Sequence, residues 1–189
     1  MKTVKIRIGQ PVPEGEWDEV VYAINHRDEP TPPMGARIAM PVFTREGDFN
    51  RLRNKVKALL RAGFTKFEAA DLATLRMLKA LGITDITADW TLYAFNSRAL
   101  KLLADLGIKR FVASPENDEA NIKELEQSGY AIERLARQAT PLFISLTEPE
   151  AQTELCVFER DGLYVTTKRQ VREWPGGTRH DYSWDPPEK

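Results

Sequence analysis

The feature that most constrains the fold of this chain is a pattern that occurs four times. A leucine-rich helix end is followed by a glycine and then by a run rich in aromatic and β-branched residues. The glycines are Gly63, Gly82, Gly107 and Gly129, which lie 19, 25 and 22 residues apart. Glycine ends a helix easily, because it takes the left-handed conformation without a Cβ clash. Each interval is long enough for one strand and one helix, so the pattern predicts strands and helices in alternation.

The segments on either side of the glycines differ in periodicity. Before Gly82, leucines recur at helical spacing from Leu72 to Leu81. The runs after the first three glycines, at residues 64–68, 83–87 and 108–112, have the composition of short strands. Alternating strands and helices form parallel sheets with right-handed crossovers, so we predict a parallel α/β sheet.

The number of strands determines what such a sheet can become. Residues 36–43 predict a strand before the first helix, and residues 141–146 predict another after the last. Together with the repeats they give five or six parallel strands, whereas the (β/α)8 barrel has eight. We therefore predict partial TIM-barrel-like repeated βα units or an open parallel sheet, with β-rich segments at both ends of the chain.

These ends differ from the repeats and define three predicted parts. Residues 1–35 form a β-rich amino-terminal segment and linker, in which Val4, Ile6 and Ile8 alternate with charged residues. Residues 36–150 form the repeat domain. Residues 151–189 form a β-hairpin across Asp161-Gly162, followed by a tail that we expect to be irregular from residue 173 onward.

An open parallel sheet has edge strands whose backbone groups need partners. The terminal β-segments could cover these edges within one chain, which we favour. Alternatively, two chains could pair there as a symmetric dimer, or a complementing subunit could bind.

The composition limits the cellular compartment and the kinds of partner that we expect for this protein. Lys and Arg number 27 against 28 Asp and Glu, which does not favour a nucleic acid or an anionic membrane. No window approaches the ~20 apolar residues of a membrane-spanning helix, so we predict a cytoplasmic protein. Cys156 is the single cysteine, and iron–sulfur clusters usually require several, so we predict no iron–sulfur cluster.

Candidate site residues follow from the fold rule that ligands bind beyond the carboxyl ends of parallel strands. The polar residues at the predicted strand ends are Glu68, Asp71, Asp89, Asn96, Ser97, Ser114 and Glu116. Paired carboxylates perform acid–base chemistry or bind divalent metals. Ordinary loop-end polarity explains the acidic residues equally well, and helix capping is the favoured explanation for Asn96 and Asn117.

Motifs of known chemistry are missing from the sequence. His26 and His180 lie outside the repeats and lack metal-ligand spacing, so we predict no metal site. We find no nucleophile elbow around a serine, and Cys156 lies in an apolar run typical of a buried thiol. The catalytic residues therefore cannot be assigned from motifs.

Three segments resemble peptidase family U32, the collagenase-like peptidases. Residues 89–97 read Asp-Trp-Thr-Leu-Tyr-Ala-Phe-Asn-Ser and lead into a helix that closes on leucine and glycine. Residues 112–116 contain the Ser-Pro-Glu strand end, and residues 141–145 resemble a later strand of the family. The resemblance covers residues 36–146 and corresponds to the later units of the family's barrel.

The resemblance implies a barrel-like α/β fold and hydrolysis of a peptide or protein substrate, with the candidate pocket at the strand ends. Related proteins assist hydroxylation of RNA or of quinone precursors. The cysteine cluster that holds an iron–sulfur centre in many members has no counterpart here, which argues against hydroxylation. Two alternatives remain. One is a non-catalytic binding or assembly module, and the other is an RNA-binding accessory protein that uses Arg169, Arg172 and Trp174.

Overall fold

A computed structural model describes residues 1–25, 29–138, 140–145, 155–160, 163–174 and 177–184 of the 189-residue chain. The chain forms two compact units, Met1–Ala136 and Arg137–Lys189. The first is an α/β barrel and the second contains an antiparallel sheet.

The barrel of the first unit is closed by seven parallel strands, which follow one another around the wall in chain order. Each strand pairs in parallel with the next, and at the closing seam the backbone N–H of Arg134 donates a 3.2 Å hydrogen bond to the carbonyl oxygen of Met1. The strands are β1 (Lys2–Arg7), β2 (Glu19–Ala23), β3 (Arg37–Ala39), β4 (Lys66–Ala69), β5 (Asp85–Ala88), β6 (Arg110–Val112) and β7 (Ala131–Arg137).

Four helices follow strands β3 to β6, and their apolar faces pack on the outside of the barrel wall. They are α1 (Glu46–Arg61), α2 (Leu72–Ala80), α3 (Ser97–Asp105) and α4 (Glu119–Gln127), with a 3-10 turn at Trp90–Leu92 between β5 and α3. Helix residues such as Leu52 and Leu78 join strand residues such as Phe67 and Phe111 in one buried apolar cluster. The main apolar core therefore lies between the wall and the helices.

The predicted role of the four glycines is confirmed. Gly63, Gly82, Gly107 and Gly129 follow α1 to α4 with φ between 79° and 94°, and the strands after them are parallel. At the end of α1, the N–H of Phe64 reaches the Leu59 carbonyl and that of Gly63 reaches the Leu60 carbonyl, which is a Schellman motif.

This motif also explains why the strands after the first three glycines begin two residues later than the sequence pattern suggests. Phe64, Ile83 and Ile108 are buried at 1%, 7% and 2% exposure and belong to the helix caps. The hydrophobic residue after a capping glycine packs back on its helix. Strands β4, β5 and β6 therefore start at Lys66, Asp85 and Arg110.

The predicted barrel-like arrangement of parallel strands is confirmed, but the open sheet is wrong. Residues 1–35, which we expected to form a separate segment, contribute β1 and β2 to the wall. The prediction of a parallel strand at residues 141–146 is also wrong. That region forms β8 (Thr140–Ser145), which pairs antiparallel with β11 in the second unit.

The second unit contains a four-stranded antiparallel sheet in the order β8-β11-β10-β9. The predicted hairpin is present, because β9 (Leu155–Arg160) and β10 (Leu163–Trp174) pair with Arg160 opposite Leu163. Its turn, residues 161–162, lies outside the described residues. β11 (Gly177–Trp184) is a strand where we expected irregular chain.

Within the described residues, no helix combines the length and the apolar character that a bilayer crossing requires.

Candidate functional site

The interior of the barrel is lined with charged side chains. Residues alternate between the two faces of a strand, and in β4 Phe67 joins the outer apolar cluster while Glu68 faces the interior. Lys5 of β1 contacts Glu68 of β4 and Asp89 after β5, strands that are not its neighbours in the wall. Such contacts cross the interior, so these charges meet inside the barrel.

The cluster nearest the carboxyl ends of the strands consists of Lys5, Glu68 and Asp89, and we call it the acid site. The ammonium of Lys5 donates a 2.5 Å hydrogen bond to Asp89 Oδ1 and forms an ion pair of 2.7 Å with Glu68 Oε2. Asp89 Oδ1 also accepts the backbone N–H of Trp90 at 2.8 Å. The side chains are 9%, 1% and 3% exposed. One positive charge therefore faces two carboxylates in a nearly dry environment.

Burial and charge act on the groups of this site in opposite ways. Burial by itself would lower the pKa of Lys5, but the carboxylates of Asp89 and Glu68 outweigh it and the pKa is raised. Burial raises the pKa of Glu68 to about 7, against the attraction of Lys5 and with repulsion from Asp89 and Glu133. Lys5 keeps its charge because its pKa is raised. Glu68, whose pKa is about 7, is the carboxyl that gains and loses a proton near neutral pH.

The raised pKa of Glu68 predicts a pH-dependent stability. The folded protein holds this proton more tightly than the unfolded chain, whose carboxyl titrates at an ordinary 4.5. The stabilisation is therefore complete below pH 4.5 and is lost as the pH rises through about 7. Between pH 4.5 and 7.5, Glu68 should lower the free energy of unfolding by about 3 kcal/mol. Urea unfolding across this range should show a flatter profile for Glu68→Gln, whereas the exposed control Glu124→Gln should follow the wild type. Equal slopes for Glu68→Gln and the wild type would contradict the assignment.

A second network of charges lies nearer the amino-terminal ends of the strands. Arg37 is fully buried and donates hydrogen bonds of 2.9 Å to Glu19 and to Asp85, and one of 3.3 Å to the carbonyl oxygen of Phe67. Arg110 pairs with Glu19 at 3.0 Å and with Glu133 at 2.5 Å. These pairs tie β2 to β3 and β6, β3 to β5, and β6 to β7. The network therefore holds β2 to β6 and β3 to β5, which are not neighbours in the wall.

Several buried polar atoms of the interior have no hydrogen-bond partner among the described residues. They include Thr87 Oγ1 beside Glu68 in the β4–β5 register, the Glu133 oxygen Oε2 that does not face Arg110, and Arg37 Nη2. Burial raises the pKa of Glu133, while Arg110 and Arg37 oppose the shift. Buried polar groups normally find partners, often ordered water. The interior is thus polar enough to hold water below the acid site.

Two of the seven predicted site residues, Glu68 and Asp89, meet in the acid site. Two others cap helices, since the side chains of Asp71 and Asn96 accept the N–H groups of Thr74 and Ala99. Ser97 is the exposed first residue of α3. The remaining two make local contacts, because buried Ser114 accepts the backbone N–H of exposed Glu116 at 3.2 Å. Among the hydrogen bonds and ion pairs of the described residues, none joins these five residues to the acid site.

The cap of the fourth helix is not Asn117, as predicted, but the next residue, Asp118, which accepts the N–H of Asn121 at 2.8 Å. The side chain of Asn117 accepts from the side chain of Asn121 instead. Of the two histidines, His26 lies outside the described residues and His180 lies in β11.

Lys5 was missed by the sequence analysis. It lies between Val4 and Ile6, and we interpreted this alternation as a half-buried strand whose charged side chains face solvent. The same alternation results when the polar face lines a charged barrel interior. A usable signal was the run of charged residues at alternate strand positions, seen in Lys66 and Glu68 of β4.

No group of three or more histidine, cysteine, aspartate or glutamate side chains in the described part of the chain has the geometry of a metal site. The acid site itself offers two carboxylates and an ammonium, which occupies the position that a cation would take.

An aromatic group adjoins the acid site at the carboxyl ends of the strands. Tyr93 is 52% exposed, stacks on Phe95 with ring centroids 5.6 Å apart, and meets the edge of Trp90 at 6.4 Å. Phe43 and Val42, which follow β3, are 44% and 38% exposed. Apolar surface therefore lies at the ends of two strands on the rim of the barrel.

Comparison with known proteins adds one match. The model of a family described as peptidase family U32 matches residues 35–146. This range contains Glu68, Asp89, Glu133 and all four helices, but not Lys5. No curated protein and no solved structure matches the chain.

Proposed function

The chain belongs to peptidase family U32, and from this membership we propose that it hydrolyses peptides, with Glu68 as the group that takes a proton from the attacking water. The observation that carries this role is a buried carboxyl whose pKa is raised to about 7 beside a fixed ammonium. A general base works best when its pKa is close to the working pH.

The roles of the three residues follow from their contacts. Ionised Glu68 accepts a proton from water, and the water oxygen forms a bond with the carbonyl carbon of the substrate. The ammonium of Lys5 favours the negative charge that develops on the carbonyl oxygen, as fixed positive charges do in dry sites. When the carbon–nitrogen bond breaks, Glu68 returns its proton to the leaving amine. Asp89 positions Lys5 through their 2.5 Å hydrogen bond.

One observation favours the alternative of a non-catalytic binding or assembly module. Glu68 and Asp89 are only 1% and 3% exposed, so a substrate reaches them only if the rim rearranges. The interior charges would then serve stability alone. The RNA-binding role, the homodimer and the complementing subunit stay predictions from the sequence.

The direct test is cleavage of unlabelled peptides by the full-length protein. A set of blocked synthetic peptides is incubated at pH 8 with and without added divalent cations, and fragments are identified by mass spectrometry. We expect fragments that accumulate with time for the wild type and for Glu124→Gln. Peptides that bind without being cut under all conditions would establish the binding module instead.

A further inference from the structure

Tyr93 has a backbone conformation that is unfavourable for its residue type. Its φ is 52° and its ψ is 48°, and it is the only non-glycine residue with positive φ in the described part of the chain. The left-handed region suits glycine and is costly for a bulky side chain. The strained residue follows the 3-10 turn that begins beside Asp89, four positions after that acid-site carboxylate.

The ring of Tyr93 contacts Phe95 and Trp90, but these contacts bury only part of it. The side chain is 52% exposed, so much of its apolar surface remains in water. Strained backbone persists at ligand sites because the conformation aims a side chain that a ligand uses. Here the strain presents an aromatic ring that is continuous, through Trp90, with the acid site.

The neighbouring loop supplies a second apolar surface, and hydrogen bonds connect the loops at this end of the barrel. Val42 and Phe43 follow β3, and the backbone N–H of Met40 donates to the Glu68 carbonyl oxygen at 3.0 Å. On the other side, the hydroxyl of Thr91 donates to the Ala70 carbonyl oxygen at 2.6 Å. The apolar residues therefore follow β3 and β5, the strands on either side of β4 with its Glu68.

Charge restricts what this surface can accept. The acid site carries one negative charge in excess when Glu68 is ionised, since Lys5 is balanced by Asp89. A substrate carboxylate beside it would meet repulsion in a site of low dielectric, which weakens the charge only slightly. A neutral apolar side chain meets no such cost, and it has no charge that must be stripped of water against the apolar surface, as a basic side chain would.

We propose that Tyr93, with Val42 and Phe43, binds an aromatic or aliphatic side chain of the peptide substrate next to the bond that is cut, and that acidic residues are rejected there. This inference deepens the proposed function and rests on it for the nature of the ligand. The occupant is a neutral apolar residue within a peptide chain. Tyr93 is thus a specificity residue rather than a catalytic one.

The test measures binding, which is independent of turnover. Blocked pentapeptides that differ only in a central phenylalanine, leucine or aspartate are titrated calorimetrically into the full-length wild type at pH 8. We expect the phenylalanine and leucine peptides to bind at least tenfold more tightly than the aspartate peptide. Equal affinities for the three peptides, or no binding of any, would overturn the proposal.

Variants then separate specificity from structure. Tyr93→Ala should weaken binding of the phenylalanine peptide at least fivefold, and Tyr93→Phe should restore it. Tyr93→Gly should bind as weakly as the alanine variant while its Tm rises by about 2–4 °C, because glycine relieves the strain. Leu102→Ala, which removes a 63% exposed leucine of α3, should leave binding unchanged. Wild-type affinity in both Tyr93→Ala and Tyr93→Gly would contradict the assignment.

The two proposals fail in different ways. Peptides that bind with the expected preference and are never cut would reject hydrolysis but keep the apolar site. Peptides that are cut equally well with phenylalanine or aspartate at the centre would reject the apolar site but keep hydrolysis.

Discussion

Glu68→Gln is expected to lower kcat/KM for peptide hydrolysis by a factor of about 10² to 10⁴, the usual contribution of a general base. Glutamine keeps the size and the polarity of the side chain, but it cannot accept the proton of water. In the wild type, kcat/KM should rise with pH through about 7, where Glu68 ionises. The variant should lose this rise together with the activity.

The matched control is Glu124→Gln, an identical chemical change on the exposed face of α4. It should keep both the activity and the pH profile of the wild type. Binding of the phenylalanine peptide should persist in Glu68→Gln, because the apolar contacts are intact. A variant that cuts peptides at the wild-type rate would remove Glu68 from the mechanism.

Arg37→Met is expected to lower the free energy of unfolding by about 1–3 kcal/mol, the cost of leaving the hydrogen-bonding partners of a buried group unsatisfied. Arg37 is fully buried between Glu19 and Asp85, and its removal leaves Glu19, 13% exposed, with Arg110 and the more distant Lys66 as its cations. The pKa of Arg37 is raised, since hydrogen bonds to Asp85 and Glu19 outweigh the opposing effect of burial. Chemical denaturation measures the loss.

A comparison with Arg51→Met isolates the effect of burial. Arg51 is 65% exposed and lies 3.7 Å from Asp48, so its removal should change stability by less than about 0.5 kcal/mol. Equal losses of stability in the two arginine variants would show that the network around Arg37 does not hold β2 to the rest of the barrel.

The repeat pattern predicts the parallel βα units because its signals are local. A capping glycine and its preceding leucines require only one helix, so Gly63 and Gly82 could be interpreted without knowledge of the fold. The closure of the barrel depends on contacts between distant residues. β1 and β2 lack the helix-and-glycine pattern, and nothing local distinguishes a parallel wall strand from a separate hairpin.

Two of the three residues of the acid site were predicted from the sequence, and the third was missed for a similar reason. Glu68 and Asp89 lie at the ends of repeat strands, where a general rule directs attention. Lys5 comes from a strand outside the repeats, and its charge is meaningful only once the barrel brings it across the interior to them. Asp71 and Asn96 lie at similar strand ends, but they satisfy helix N–H groups instead.

The closing seam has a consequence for how the molecule is made. Met1 and Arg134 meet there although 133 positions separate them in the sequence, and Lys5 reaches Asp89 across 84. Contacts between such distant positions form slowly, because the chain must first give up the entropy of a long loop. During synthesis, β1 therefore has no β7 partner until Ala131–Arg137 has been translated. We expect the charged interior around Lys5 to be enclosed only when β7 closes the barrel.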